Sequence, residues 1–193
     1  MSKMYEKLQK CVSIIREKTD FVPEVALILG SGLGEYARNM DVKAEVPYSE
    51  IEGFPVSTVA GHDGRFLFGY VEKVPMVIMK GRVHYYEGYD MTDVVMPIRI
   101  MGMLGAKKVI LTNAAGGVNL DFQPGDLMMI TDHISTFVPS PLRGENLDEL
   151  GTRFPDMSHV YNPELCEVIR KAAKKLNVPL KAVSYTHLTL PTN

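Results

Sequence analysis

Arg82, His84 and Tyr86 alternate in the segment Gly81-Arg82-Val83-His84-Tyr85-Tyr86-Glu87-Gly88. In extended backbone alternate side chains share a face, so these three point together while Val83 and Tyr85 point away. That face carries a forked cation, a titratable ring and a phenol. A guanidinium meets two phosphate oxygens at once, and an imidazole adds a hydrogen bond whose strength follows its protonation. The chemistry indicated is anion binding, with an exposed polar loop and Arg82 paired to a carboxylate as the plain alternative. Gly30-Ser31-Gly32-Leu33-Gly34 is a second phosphate-cradle candidate, because glycine tolerates the backbone angles that turn several N–H groups to one side. It lacks the Gly-Lys-Ser/Thr ending of a Walker loop, and Glu35 stands where a dinucleotide fingerprint needs glycine. Taken alone, it is equally a plain connection between a strand and a helix. Thr112-Asn113-Ala114-Ala115-Gly116-Gly117 is a third, built of small residues that let a ligand approach the backbone. His62, in Gly61-His62-Asp63-Gly64, is either a contact to a bound anion or a turn histidine without a role, and His133 reads as a satisfied polar group beside the core. No pair among the His, Asp and Glu residues has metal-ligand spacing, so no metal is expected.

The elements that position these loops follow from periodicity. Tyr5, Leu8, Val12 and Ile15 recur at helical steps and predict an N-terminal amphipathic helix. Residues 25–29 form a short apolar run closed by Gly30, the pattern of a strand buried on both faces. Further strands are expected over 65–71, 76–79, 108–112 and 126–132. A helix is expected over 92–104, stopped by Gly105, and another from the Asn162 cap and Pro163 to Asn177. Alternating strands and helices indicate an α/β fold, a single domain with a mixed sheet flanked by helices. The three candidate loops each follow a strand, where α/β proteins place ligands. Met91, Met96, Met101 and Met103 read as core filling, and so do Cys11 and Cys166.

Composition narrows the class. The chain has 193 residues with a net charge of −2, and its Lys and Arg are scattered, which offers no footprint for nucleic acid or an anionic membrane. No apolar run approaches the roughly 20 residues of a membrane helix, and the N-terminus has no secretory pattern. The cytoplasm is the expected compartment.

The three loops, together with Gly-Asp-Leu-Met-Met-Ile-Thr-Asp-His-Ile and Pro-Leu-Arg-Gly-Glu-Asn further on, resemble the purine nucleoside phosphorylases of the trimeric, low-molecular-mass type. The resemblance runs from the N-terminal helix to about Lys181. It implies a nucleoside phosphorylase-like fold and reversible phosphorolysis of purine (2′-deoxy)ribonucleosides to free base and (deoxy)ribose 1-phosphate, a purine-salvage reaction. Inorganic phosphate is then the co-substrate, no organic cofactor takes part, and the full-length assembly is a homotrimer. By matched position, the resemblance implies that Ser31, His62, Arg82, His84 and the backbone of Ala114 hold phosphate. Tyr86 would contact the ribose, with Glu87 holding His84 and Asn113 in support. Phe137, in the loop after His133, is placed as the aromatic residue that covers a neighbouring subunit's ribose. Residues 182–193 do not match the family's continuation. The resemblance therefore sets an incomplete phosphorylase domain over 1–181 and an unmatched tail over 182–193, with base-selecting groups absent and phosphorolysis by this chain impaired. A methylthioadenosine phosphorylase and a non-catalytic nucleotide- or phosphate-binding module are the alternatives, and Glu35 disfavours a dinucleotide-dependent oxidoreductase.

Overall fold

The computed structural model describes residues 2–30, 32–56, 64–136 and 138–186. Within the span that the sequence sets as one domain, the chain divides into two compact units, Met1–Ala115 with Leu147–Leu150, and Gly116–Asn146 with Gly151–Asn193.

The first unit is built on a mixed five-stranded sheet. Its strands are β1 (Val25–Ile28), β2 (Asp41–Pro47), β3 (Arg65–Val71), β4 (Val74–Lys80) and β5 (Lys108–Leu111), in the order β2-β3-β4-β1-β5. β1 runs parallel to β4 and β5, while β2, β3 and β4 form an antiparallel meander. All four residues of β1 are buried, as expected of an apolar run covered on both faces. The period of two divides its side chains between two cores. Ala26 and Ile28 join Phe66, Phe68, Val77 and Met79 on one face, whereas Val25, Leu27 and Leu29 join Leu67, Met76 and Ile78 on the other.

Helix α1 (Lys3–Lys18) closes the first face with Leu8, Cys11 and Ile15 fully buried and the other two residues of the expected stripe, Tyr5 and Val12, partly buried beside them, and burial pushes the Cys11 thiol up from its ordinary pKa. The Ser2 hydroxyl caps α1 by accepting the Tyr5 N–H at 3.2 Å. The helix expected over 92–104 is two helices, α2 (Met91–Val94) and α3 (Met96–Met103), parted at Val95. Pro97 has no N–H to give the Asp93 carbonyl, and the Val95 N–H closes α2 on the Met91 carbonyl at 3.1 Å. Gly105, at φ 122°, ends α3 as anticipated, and the Ala106 N–H returns to the Met101 carbonyl at 3.1 Å. Met96 and Met101 are fully buried against α1 and the sheet, which makes them packing residues.

The second unit joins β6 (Leu127–Ile134) to a parallel β7 (Leu180–Thr186), with α4 (Pro163–Lys175) between them in sequence. The Asn162 side chain caps α4 by accepting the Leu165 N–H at 3.0 Å, and Asn177 ends it at φ 53°. β7 continues past Lys181 into the segment that the sequence reading sets apart as an unmatched tail.

Candidate active site at the ends of three adjacent strands

β4, β1 and β5 are neighbours and parallel, so their C-terminal ends open along one edge of the sheet. β4 stops at Lys80, and Gly81 adopts φ 81°, a left-handed conformation that turns the chain out of the sheet. The Gly81 carbonyl accepts the Tyr48 hydroxyl at 2.7 Å. Tyr48 is fully buried between Phe54 and Phe66, and burial pushes its phenol well above the ordinary value, so it stays a donor. Val83 then inserts into the core with 4% exposure, which leaves Arg82 and His84 on the opposite side of the chain.

Arg82 is half-buried. Its Nε donates to His84 Nε2 at 3.1 Å and its Nη1 donates to the Thr112 carbonyl at 3.0 Å. Both acceptors are neutral, and among the described residues no carboxylate pairs with Arg82. Because His84 Nε2 accepts, the ring proton sits on Nδ1, which lies 2.8 Å from Glu87 Oε1. The same carboxylate oxygen accepts the His84 backbone N–H at 2.8 Å. A single turn of 3-10 helix, Tyr85–Glu87, folds Glu87 back under His84, and the Glu87 side chain is only 1% exposed.

The alternation expected of this segment holds for Arg82, Val83 and His84 and stops there. Beyond His84 the 3-10 turn replaces extended backbone, so Tyr85 points to solvent at 52% exposure. Tyr86 reaches the Arg82 side by stacking on the His84 ring, with centroids 4.7 Å apart and planes at 19°. It is 74% exposed.

The other two loops meet at Thr112. The Gly30 N–H donates to Thr112 Oγ1 at 2.8 Å, and that hydroxyl donates to the Ile28 carbonyl at 2.8 Å. Thus a half-buried guanidinium, a carboxylate-held imidazole and the start of a glycine-rich turn converge on one sheet edge, a constellation suited to a tetrahedral dianion.

A model of the phosphorylase superfamily matches residues 24–191. The chain belongs to that superfamily. It is 44% identical to "Purine nucleoside phosphorylase 1" of Bacillus subtilis over 189 residues, 98% of this chain and 70% of that one. The crystal structure of the Schistosoma mansoni purine nucleoside phosphorylase in complex with acetate superimposes with a TM-score of 0.89 at 36% identity, covering 97% of this chain and 71% of that one. A purine nucleoside phosphorylase in complex with ribose 1-phosphate superimposes with a TM-score of 0.88 at 35% identity, over the same shares of the two chains.

Of the site residues named from sequence, this superfamily member brings together Arg82, His84, Tyr86 and Glu87. Asn113 and Ala114 directly follow Thr112, and the Asn113 amide makes a long bond of 3.4 Å to the Ala114 carbonyl. Ser31, His62 and Phe137 lie outside the described residues. His133 is exposed and not beside the core, because the far end of β6 is uncovered, and its Nδ1 lies 3.0 Å from the Tyr161 hydroxyl. No group of three His, Cys, Asp or Glu residues able to hold a metal occurs among the described residues, and no described helix is long and apolar enough to cross a membrane.

Sequence reasoning gave no role to Tyr48, Tyr89 or Thr112. The Tyr89 hydroxyl donates to the Val56 carbonyl at 2.6 Å and accepts its N–H at 3.1 Å, tying residue 56 to the loop after Glu87. A tyrosine at these positions carries no local signal. Thr112 had one, a hydroxyl directly after a strand and before a run of small residues.

Gly30 is required by close approach. A Cβ there would lie 2.6 Å from the Thr112 carbonyl oxygen and 3.0 Å from Asn113 Cα, both backbone atoms. Gly30→Ala should therefore push two loops apart, at a cost of roughly 1–3 kcal/mol and about 2–10 °C in Tm. Thermal unfolding of the variant checks this, and an unchanged Tm would show that the loops are not in contact.

Proposed function

We propose that this chain catalyses phosphorolysis of purine nucleosides, in place of the impairment expected from an unmatched tail, a reading supported by the family match extending to residue 191. A phosphate oxygen forms a bond to the anomeric carbon while the bond from that carbon to the purine nitrogen breaks, giving ribose 1-phosphate and free base, the base leaving with a proton. The observation that carries the reading is Arg82, a half-buried guanidinium bonded only to neutral acceptors among the described residues and set beside a histidine already held by a carboxylate.

The anomeric carbon gains oxocarbenium character as the purine departs, so an anion fixed beneath it both stabilises the developing cation and stands ready to attack. Arg82 fixes that anion with charge-assisted hydrogen bonds. An arriving phosphate replaces His84 as the acceptor for Arg82 Nε. His84 Nε2 then needs a proton to become a donor, which a phosphate monoanion itself carries, and Glu87 supports the resulting imidazolium through Nδ1. In the same reading Ser31, His62 and the Ala114 backbone complete the phosphate site, with Asn113 supporting the Ala114 loop, and the exposed phenol of Tyr86 meets the ribose. Phe137 covers the ribose of a neighbouring subunit in a homotrimer. Phosphate is the co-substrate, no organic cofactor is required, and the setting is cytoplasmic.

The test is inosine cleavage followed at increasing phosphate concentrations. Hypoxanthine release should rise and saturate with phosphate and vanish in its absence. Release at the same rate in phosphate-free buffer would overturn the reading.

A further inference from the structure

We infer that Thr112 is a positioning residue for the phosphate site, setting the Gly30 turn and the Arg82 guanidinium at a fixed distance from one another. The inference rests on the proposed phosphorolysis and adds to it a residue that touches no substrate. The ends of β1, β4 and β5 are joined through this one side chain and its own peptide. Thr112 Oγ1 accepts the Gly30 N–H at 2.8 Å and donates to the Ile28 carbonyl at 2.8 Å. The Thr112 N–H also donates to that carbonyl, at 3.1 Å. These bonds lock the residue to the last turn of chain before the glycine-rich loop. Its carbonyl accepts one Arg82 Nη1 proton at 3.0 Å, which fixes the plane of the guanidinium fork. A planar fork binds a tetrahedral anion well only in a defined orientation, so a carbonyl that sets its plane acts on the anion through Arg82.

The packing makes the coupling stiff. Gly30 lies so close that any side chain there would strike the Thr112 carbonyl oxygen. A tilt of the Thr112 peptide therefore moves the turn and the fork together. The hydroxyl is the component that substitution can remove alone. Valine keeps the shape and the backbone bond to Ile28, but it leaves the Gly30 N–H without its acceptor and removes the hydroxyl's bond to the Ile28 carbonyl. Serine keeps the hydroxyl and loses only a methyl group.

The experiment uses the full chain and inorganic phosphate as probe, with affinity measured by titration calorimetry alongside steady-state kinetics with inosine. Thr112→Val should weaken phosphate binding and raise the phosphate KM by about tenfold, with the inosine KM changed by less than about twofold. Thr112→Ser should stay within about threefold of the parent on both. Phosphate affinity unchanged in Thr112→Val, or lost equally in Thr112→Val and Thr112→Ser, would overturn the role. If Thr112→Val does not fold, Thr112→Ser still decides, because a tenfold loss with the hydroxyl present contradicts it. A parent chain that binds phosphate yet cleaves no purine nucleoside would sink the proposed function while the affinities still test Thr112. A parent that binds no phosphate overturns both.

Discussion

Arg82→Ala is expected to raise the phosphate KM by roughly tenfold to a hundredfold, the equivalent of about 1.5–3 kcal/mol for a lost charge-assisted contact. The effect should fall on phosphate far more than on nucleoside, because the guanidinium faces the anion end of the site. Folding should survive the change. Arg82 bonds the Thr112 carbonyl and His84, but the surrounding framework rests on β1, β4 and the buried Tyr48 and Val83, none of which needs the guanidinium. His84 loses a donor at Nε2 but keeps its bonds to Glu87. Steady-state kinetics at varied phosphate, with circular dichroism as the folding control, makes the measurement. A phosphate KM within twofold of the parent would remove Arg82 from the anion site.

Glu87 should be the next most costly residue to lose. Its oxygen holds both the backbone N–H and the Nδ1 proton of His84, and its side chain is almost completely buried. Glu87→Ala leaves two donors unsatisfied and a void under the ring. The expected loss in kcat/KM for phosphate is roughly tenfold to a hundredfold, with about 1–3 kcal/mol of stability. Glu87→Gln separates the two roles. The amide oxygen still accepts a hydrogen bond, so stability should largely return, but its charge is gone and a protonated His84 loses its counter-ion. Activity should therefore remain well below the parent while Tm recovers. Full recovery of both in the Gln variant would mean that Glu87 only shapes the loop.

The alternation of Arg82 and His84 was legible because β4 delivers its chain in extended form, and a period of two is the pattern that sequence displays most directly. It ceased to be legible at Tyr85, where hydrogen bonds from Glu87 back to His84 favour a tight turn over continued extension. Tyr86 still reaches the site, through ring stacking that no spacing rule describes. Cys11, Met96 and Met101 read correctly as core because helical periodicity fixes which face is buried, whereas Met103 is only partly buried and Met91, half-buried, lies outside the core clusters. The break at Val95 was overlooked although Pro97 signals it, since the apolar pattern continues smoothly across the interruption. Tyr48 and Thr112 were beyond local reading altogether. Their partners Gly81 and Gly30 lie 33 and 82 residues away in sequence, and only the strand order brings them together.

The central claim is that phosphate, not water, cleaves the glycosidic bond. Product analysis decides it. Incubation with inosine and isotopically labelled phosphate should yield hypoxanthine and labelled ribose 1-phosphate in equal amounts, with both falling together in Arg82→Ala. Hypoxanthine accompanied by free ribose, with the label remaining in inorganic phosphate, would contradict the account.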